Sequence, residues 1–270
     1  MSIAADSYLM IIGSMKSGTT SLYNYLIQHP SICAAAKKEP EFFSQNQGHG
    51  LRVENYKDLW DFDERVHRYA IEASTGYTKY PFETGVAQRM AALGLHPKFI
   101  YCVRDPIDRI LSQCRFVNSN PQWGNITPFS DEAVALSKYN QQLMQFTEVF
   151  PKEDLLILDF EIISNDPQTA ANHVFGFLGL NEIQLDDTSV YNKTRAAGKI
   201  ETVVKKNFPW AIDFLPVGVK GFVRALSTDP SGVATIELSP IERSRLMELL
   251  RKDIEAFGTN FDFAIEKWGF

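Results

Sequence analysis

The chain is poor in cysteine, short of cationic residues and free of long apolar runs, and each shortage counts against a class of protein. Its cysteines are Cys33, Cys102 and Cys114, an odd number at wide spacing with no Cys-x-x-Cys pair. That argues against a secreted disulfide framework and against a structural zinc site. Lysine and arginine number 27 against 33 aspartate and glutamate, a net charge of −6. Nucleic acid and anionic membrane call for a basic surface, so neither is expected as a partner, although one local basic pocket fits the balance. No apolar stretch reaches the roughly 20 residues of a membrane-spanning helix. The opening MSIAADSYLMIIG lacks the cationic segment of a signal peptide and reads as a first strand. These readings together lead to the expectation of a soluble, cytoplasmic protein.

What is present is an ordinary globular composition. The chain has 270 residues, 44% apolar and 22% charged, with 19 Phe. That suffices for one large core, and no linker, repeat or low-complexity tract divides it, so residues 1–270 are read as a single domain. Apolar runs at Tyr8–Ile12, Arg68–Ala73, Lys98–Val103 and Leu155–Phe160 predict strands. Helical spacing predicts helices over Ser21–Gln28, Ile107–Phe116 and Asp131–Phe150, another opening at Asp166-Pro167, and a last one over Pro240–Phe257. The alternation implies an α/β fold: a mostly parallel central sheet flanked by helices, with a P-loop-like strand–loop–helix at its start.

That first turn carries the strongest chemical signal. Gly13-Ser14-Met15-Lys16-Ser17-Gly18-Thr19-Thr20-Ser21 lies between a strand and a helix start. Such a turn aims backbone N–H groups and the positive end of the helix dipole at one point. Lys16 adds a full charge, and the hydroxyls of Ser17, Thr19 and Thr20 add donors. Gly13 and Gly18 have the separation of the nucleotide-triphosphatase loop G-x-x-x-x-G-K-[ST]. Thr19, however, stands where that loop needs lysine.

KSGTTSL at 16–22 resembles the 5′-phosphosulfate loop of sulfotransferases that use 3′-phosphoadenosine 5′-phosphosulfate (PAPS). Arg104-Asp105-Pro106-Ile107-Asp108-Arg109-Ile110-Leu111-Ser112 resembles the same family's 3′-phosphate motif, R-[DN]-P-x-x-R-x-x-S after a strand. His29-Pro30, KEPEFF at 38–43, EASTGY at 72–77 and NKTR at 192–195 resemble signals of its glycosaminoglycan-type branch, which includes bacterial small-molecule members. The resemblance implies PAPS as co-substrate and no metal. Lys16 would contact the bridging oxygen, with Ser17, Gly18, Thr19, Thr20 and Ser21 cradling the 5′ end. Arg104 and Ser112 would hold the 3′-phosphate. Arg109 is either a second phosphate contact or a salt-bridge residue, and the structural role is favoured. Lys193, Arg195, Gly198 and Lys199 would form a lid over the nucleotide.

The branch's catalytic glutamate maps onto Glu39, with Glu41 as the alternative base. His29, His49, His67, His96 and His173 are the other candidates, because histidine is the base in the branch that sulfates hormones and phenols. His29 is read as structural, and the three cysteines as packing residues. Trp123, Phe208 and Trp210 are available for stacking. The chain departs from the branch at Glu41, where vertebrate glycan enzymes commonly have His, and at Ala73, where some have Lys. It also lacks their cysteine pair near Lys193–Lys199.

The expected activity is thus sulfuryl transfer to a hydroxyl of a small acceptor, a natural product or saccharide-like compound of the kind made in secondary metabolism. The alternatives are an amine or guanidinium acceptor, a nucleotide kinase, or a nucleotide-binding protein without activity. With basic groups gathered in one pocket, the rest of a −6 chain is more acidic still and disfavours a long polyanionic acceptor.

Overall fold

The computed structural model describes residues 3–45, 55–120, 122–189 and 236–270. Five strands form one sheet in the order β2-β3-β1-β4-β5, and every pairing is parallel. They are β1 (Tyr8–Gly13), β2 (Ile32–Ala34), β3 (Tyr69–Ala73), β4 (Lys98–Val103) and β5 (Leu155–Asp159). The helices are α1 (Thr19–Leu26), α2 (Val86–Ala92), α3 (Pro106–Asn118), α4 (Asp131–Ala135), α5 (Tyr139–Thr147), α6 (Phe160–Asn165), α7 (Pro167–Phe177) and α8 (Pro240–Phe261).

The central strand β1 is buried along its whole length, as a parallel strand covered on both faces must be. Its side chains alternate between two cores. Tyr8, Met10 and Ile12 face the core that contains α5 and α8, while Leu9 and Ile11 face α1 and α7. The chain runs to one side of β1 for β2 and β3, then crosses to the other for β4 and β5. The order of strands therefore reverses beside β1, and ligands of open parallel sheets bind outside the carboxyl ends of the strands at such a point. Register brings the motifs together there, with Ile11 opposite Ala73 and Gly13 opposite Tyr101.

Several boundaries differ from expectation, each for a physical reason. α1 begins two residues early, so Thr19 and Thr20 lie inside its first turn. The helix expected over Asp131–Phe150 is two helices, α4 and α5. Ser137, between them, is fully buried and bonds Arg109 Nε (2.5 Å) and the Pro106 carbonyl (3.1 Å). Phe160 does not end β5 but opens α6, where the Asp159 carboxylate caps the Glu161 N–H at 2.9 Å. The last helix runs on to Phe261 and closes at Asp262 in the left-handed region. Strand β2, three residues long, and helix α2 were not anticipated.

Candidate active site

The loop after β1 is built from the inside. Gly13 has φ 153°, and a Cβ there would stand 2.2 Å from Thr78 Oγ1 and 2.9 Å from the Tyr101 ring, so no larger residue fits. Gly18 enters α1 at φ 82°, and no side chain caps the helix's first turn. The positive end of the helix dipole lies at this turn and suits an anion. Ser14 Oγ donates to the Cys102 carbonyl at 2.8 Å, which leaves the Ser17 hydroxyl to donate to Ser14 at 2.7 Å. The Ser17 N–H is taken by the Ser14 carbonyl at 3.2 Å. Ser17 therefore shapes the loop from within, and the donor expected of its hydroxyl is already committed. Thr19 and Ser21 are buried in the first turn of α1, and Thr20 is half-buried.

Lys16 is held at φ 72°. Its Nζ stands 4.2 Å from the centre of the Phe116 ring, a cation–π contact. Burial pushes its pKa down to about 8, helped by the neighbouring guanidinium groups of Arg104 and Arg115 and opposed by the carboxylate of Glu39. Three cations thus share one small region, and their mutual repulsion is what a bound polyanion would relieve. The donor set fits a ligand with phosphate and sulfate groups.

Arg104 leaves β4 with its guanidinium 4.6 Å from the Phe160 ring centre and 3.8 Å from the Asp108 carboxylate. Its backbone is pinned by Tyr139, whose hydroxyl donates to the Arg104 carbonyl at 2.7 Å. Asp105 caps α3 by accepting from the N–H groups of Ile107 and Asp108, both at 2.9 Å, and Pro106 occupies the first helical position. Arg104, Asp108 and Ser112 then follow at helical spacing, with Ser112 buried.

The structure separates the two candidate glutamates. Glu39, at φ 57°, is half-buried and pairs with Lys38 at 2.6 Å. Glu41 is buried and turned inward, accepting from the Gly76 N–H and from Ser44 Oγ, both at 2.8 Å, and burial raises its pKa. It ties two loops together, with both carboxylate oxygens engaged by the fold. Beneath it lies Glu72, fully buried, which accepts from Tyr56 and Ser74 at 2.5 Å and from Tyr77 at 2.9 Å. Burial pushes Glu72 up to about 7. Ser74 also accepts from the Glu41 N–H at 3.0 Å, so this network positions the loop that carries Glu39.

Of the other candidates, His29 is fixed by its partners. His29 Nδ1 accepts from the Ser31 N–H at 3.0 Å, which leaves Nε2 to donate to the Asn181 carbonyl at 3.1 Å. It is a structural histidine whose pKa burial lowers. Asp159, at the end of β5, caps α6 and pairs with Lys267. The cysteines are free and buried. Lys193, Arg195, Gly198 and Lys199 lie outside the described residues, as do His49, Phe208 and Trp210. Phe116, Arg115 and Phe160 were missed by the sequence reading. Phe116 had a signal, since it lies four residues beyond Ser112 on one helix.

The sequence matches the family described as Sulfotransferase domain over residues 6–199. It is 29% identical over 202 residues to human heparan sulfate glucosamine 3-O-sulfotransferase 3B1, covering 69% of this chain and 49% of that protein. It is 29% identical over 197 residues to human bifunctional heparan sulfate N-deacetylase/N-sulfotransferase 3, covering 63% of this chain and 22% of that protein. The chain spans about half the length of the first curated relatives it matches. Among solved structures, the fold matches a sulfotransferase from Alicyclobacillus acidocaldarius with a TM-score of 0.68 and 22% identity, covering 99% of this chain and 100% of that one.

One expectation is corrected by these relatives. The membrane-associated sulfotransferase kil1 of Dictyostelium discoideum is 32% identical over 109 residues, covering 40% of this chain and 22% of that protein. The cytoplasmic location inferred from composition is therefore withdrawn. The inference failed because bulk charge and hydropathy report on solubility, not on the compartment in which a soluble fold works. No helix among the described residues is long and apolar enough to cross a membrane.

Proposed function

Because this chain belongs to the sulfotransferase family, we propose that it transfers a sulfuryl group directly from PAPS to a hydroxyl of a small-molecule acceptor, within a single domain of residues 1–270. The observation that carries this reading is Lys16, a partly desolvated ammonium fixed at the mouth of the loop, with Glu39 close enough to act on it electrostatically. In the reaction the acceptor oxygen forms a bond to sulfur while the bond from sulfur to the bridging oxygen breaks. Glu39 takes the acceptor proton. Lys16 stabilises the charge that gathers on the bridging oxygen as it leaves with the nucleotide, an interaction stronger in the transition state than before it. The start of α1, from Gly18 through Ser21, cradles the 5′ end, with Ser17 fixing the loop's shape. Arg104 and Ser112 take the 3′-phosphate, where a guanidinium offers paired, charge-assisted hydrogen bonds. Lys193, Arg195, Gly198 and Lys199 complete the nucleotide site as its cover.

The test is thermal unfolding with the product nucleotide PAP or with Mg-ATP, followed by mass spectrometry of acceptor mixtures incubated with PAPS. Stabilisation by PAP, and a product heavier by one sulfuryl group, are expected. Stabilisation by Mg-ATP alone would sink the proposal in favour of a nucleotide kinase. An amine acceptor is the second reading, supported by the likeness to an N-deacetylase/N-sulfotransferase. The position of the sulfuryl group in the product separates the two.

A further inference from the structure

One enclosed cation takes no part in the reaction above. Arg109 is 0% exposed and is the largest fully buried side chain described. Its Nε donates to Ser137 Oγ at 2.5 Å, and its Nη2 donates to Gln113 Oε1 and to the Ala133 carbonyl, both at 2.8 Å. Its Nη1 reaches the Met15 carbonyl at 3.4 Å. All four acceptors are neutral. The nearest carboxylate in this network is Glu132, one step removed, accepting from Gln113 Nε2 at 3.2 Å. The same wall holds the Tyr101 hydroxyl, buried without a hydrogen-bond partner, and Tyr101 closes on Gly13 from beneath the loop.

An arginine in a protein keeps its proton. A buried ion whose charge nothing offsets is strongly unfavourable. Arg109 is therefore neither of the two things its place in the motif allowed. It is sealed from the pocket, so it touches no ligand, and it forms no ion pair among the described residues. What it does touch is Met15, the residue before Lys16.

We propose that Arg109 is a positioning residue whose counter-charge is the ligand itself: it fixes the phosphate loop through Met15, and the 5′-phosphate across the loop offsets its charge. The Met15 carbonyl that Arg109 reaches belongs to that loop, and the interior dielectric is low, so the field is weakly screened. This rests on the PAPS reading given above.

Calorimetric titration tests it with two ligands, PAP and 3′-AMP, which lacks the 5′-phosphate. Wild-type protein should bind PAP; if it does not, the PAPS reading fails and this one with it. Given binding, Arg109→Gln should weaken PAP by about tenfold or more and 3′-AMP by less than about threefold. Arg109→Lys keeps the charge and should hold PAP affinity within about threefold. Because removing a buried arginine risks misfolding, a second variant keeps Arg109 and supplies the missing counter-charge. The double change Gln113→Glu with Glu132→Gln reverses the bond between those two side chains and places a carboxylate on the guanidinium. It should raise Tm and still weaken PAP about tenfold. Unchanged PAP affinity in this variant, or equal weakening of PAP and 3′-AMP in Arg109→Gln, would overturn the proposal and leave Arg109 a structural strut.

Discussion

Lys16 and Glu39 both occupy the left-handed region, at φ 72° and 57°, although neither is glycine. Backbone strain of this kind persists where surrounding structure over-determines it, and it concentrates where side chains must be aimed. For Lys16 the consequence is a pH dependence. Its pKa in the free protein is lowered to about 8 by burial first and by Arg104 and Arg115 next. The charged form is the useful one, so kcat/KM should fall as pH rises through about 8. The limb in kcat should lie higher, because a bound anion restores the preference for the ammonium. Lys16→Arg keeps charge at all these pH values and should abolish the alkaline limb in kcat/KM while lowering the rate. A limb that survives in Lys16→Arg would assign it to another group. At Glu39 the prediction is separable from binding. Glu39→Gln should slow turnover by about 10²–10⁴-fold and leave PAP affinity unchanged. Glu41→Gln should act on Tm instead, since both oxygens of Glu41 serve the fold. Equal losses of turnover in the two variants would undo this division.

Among the elements, the Glu72 network is the piece that joins fold to site. A carboxylate on β3 receives three hydroxyl donors and, through Ser74, sets the backbone of the loop carrying Glu39. Its folded pKa is raised to about 7 by burial, so the native state holds the proton more tightly than the unfolded chain. That contribution to stability is full below the unfolded value of about 4.5 and is lost as pH rises toward about 7. Glu72→Gln, which does not titrate, should cost stability at pH 5 and progressively less toward pH 7, read as the difference in Tm from wild type. A difference that stays constant across that range would show that Glu72 is not the titrating group. Sequence carried β1, β3, β4 and the turns that follow β1 and β4 clearly, because buried parallel strands are continuous apolar runs and glycine-flanked turns are local chemistry. It did not carry the break between α4 and α5, which Ser137 makes through contacts with Arg109 and Pro106, residues about thirty positions away. Nor did it carry the inward turn of Glu41, whose partner is the Gly76 N–H on another loop. Composition is silent on such pairings until the fold brings them together.

Charge is distributed over the whole molecule in a way that bears on the acceptor. The net charge is −6, yet Lys16, Arg104 and Arg115 gather at the carboxyl end of β1 and β4, with Arg109 behind them. Setting those cations aside leaves a remainder more acidic than the total. These cations would attract a long sulfated chain, while the net charge of the whole molecule opposes its approach. The curated relatives carry heparan sulfate in their names, but about half of their length has no counterpart here. Likeness over residues 6–199 therefore does not transfer their acceptor. Added salt gives this a sign. Repulsion over distances beyond about 8–10 Å is screened at physiological ionic strength. Sulfation of a heparan-type polyanion, if it occurs, should therefore rise with added salt, while transfer to an uncharged small hydroxyl compound should change little once PAPS is saturating. Competition assays at low and high salt read both together. A polyanion that outcompetes the neutral acceptor at low salt and loses ground as salt is added would mean that a basic track leads into the site, and the small-molecule reading would then have to be given up.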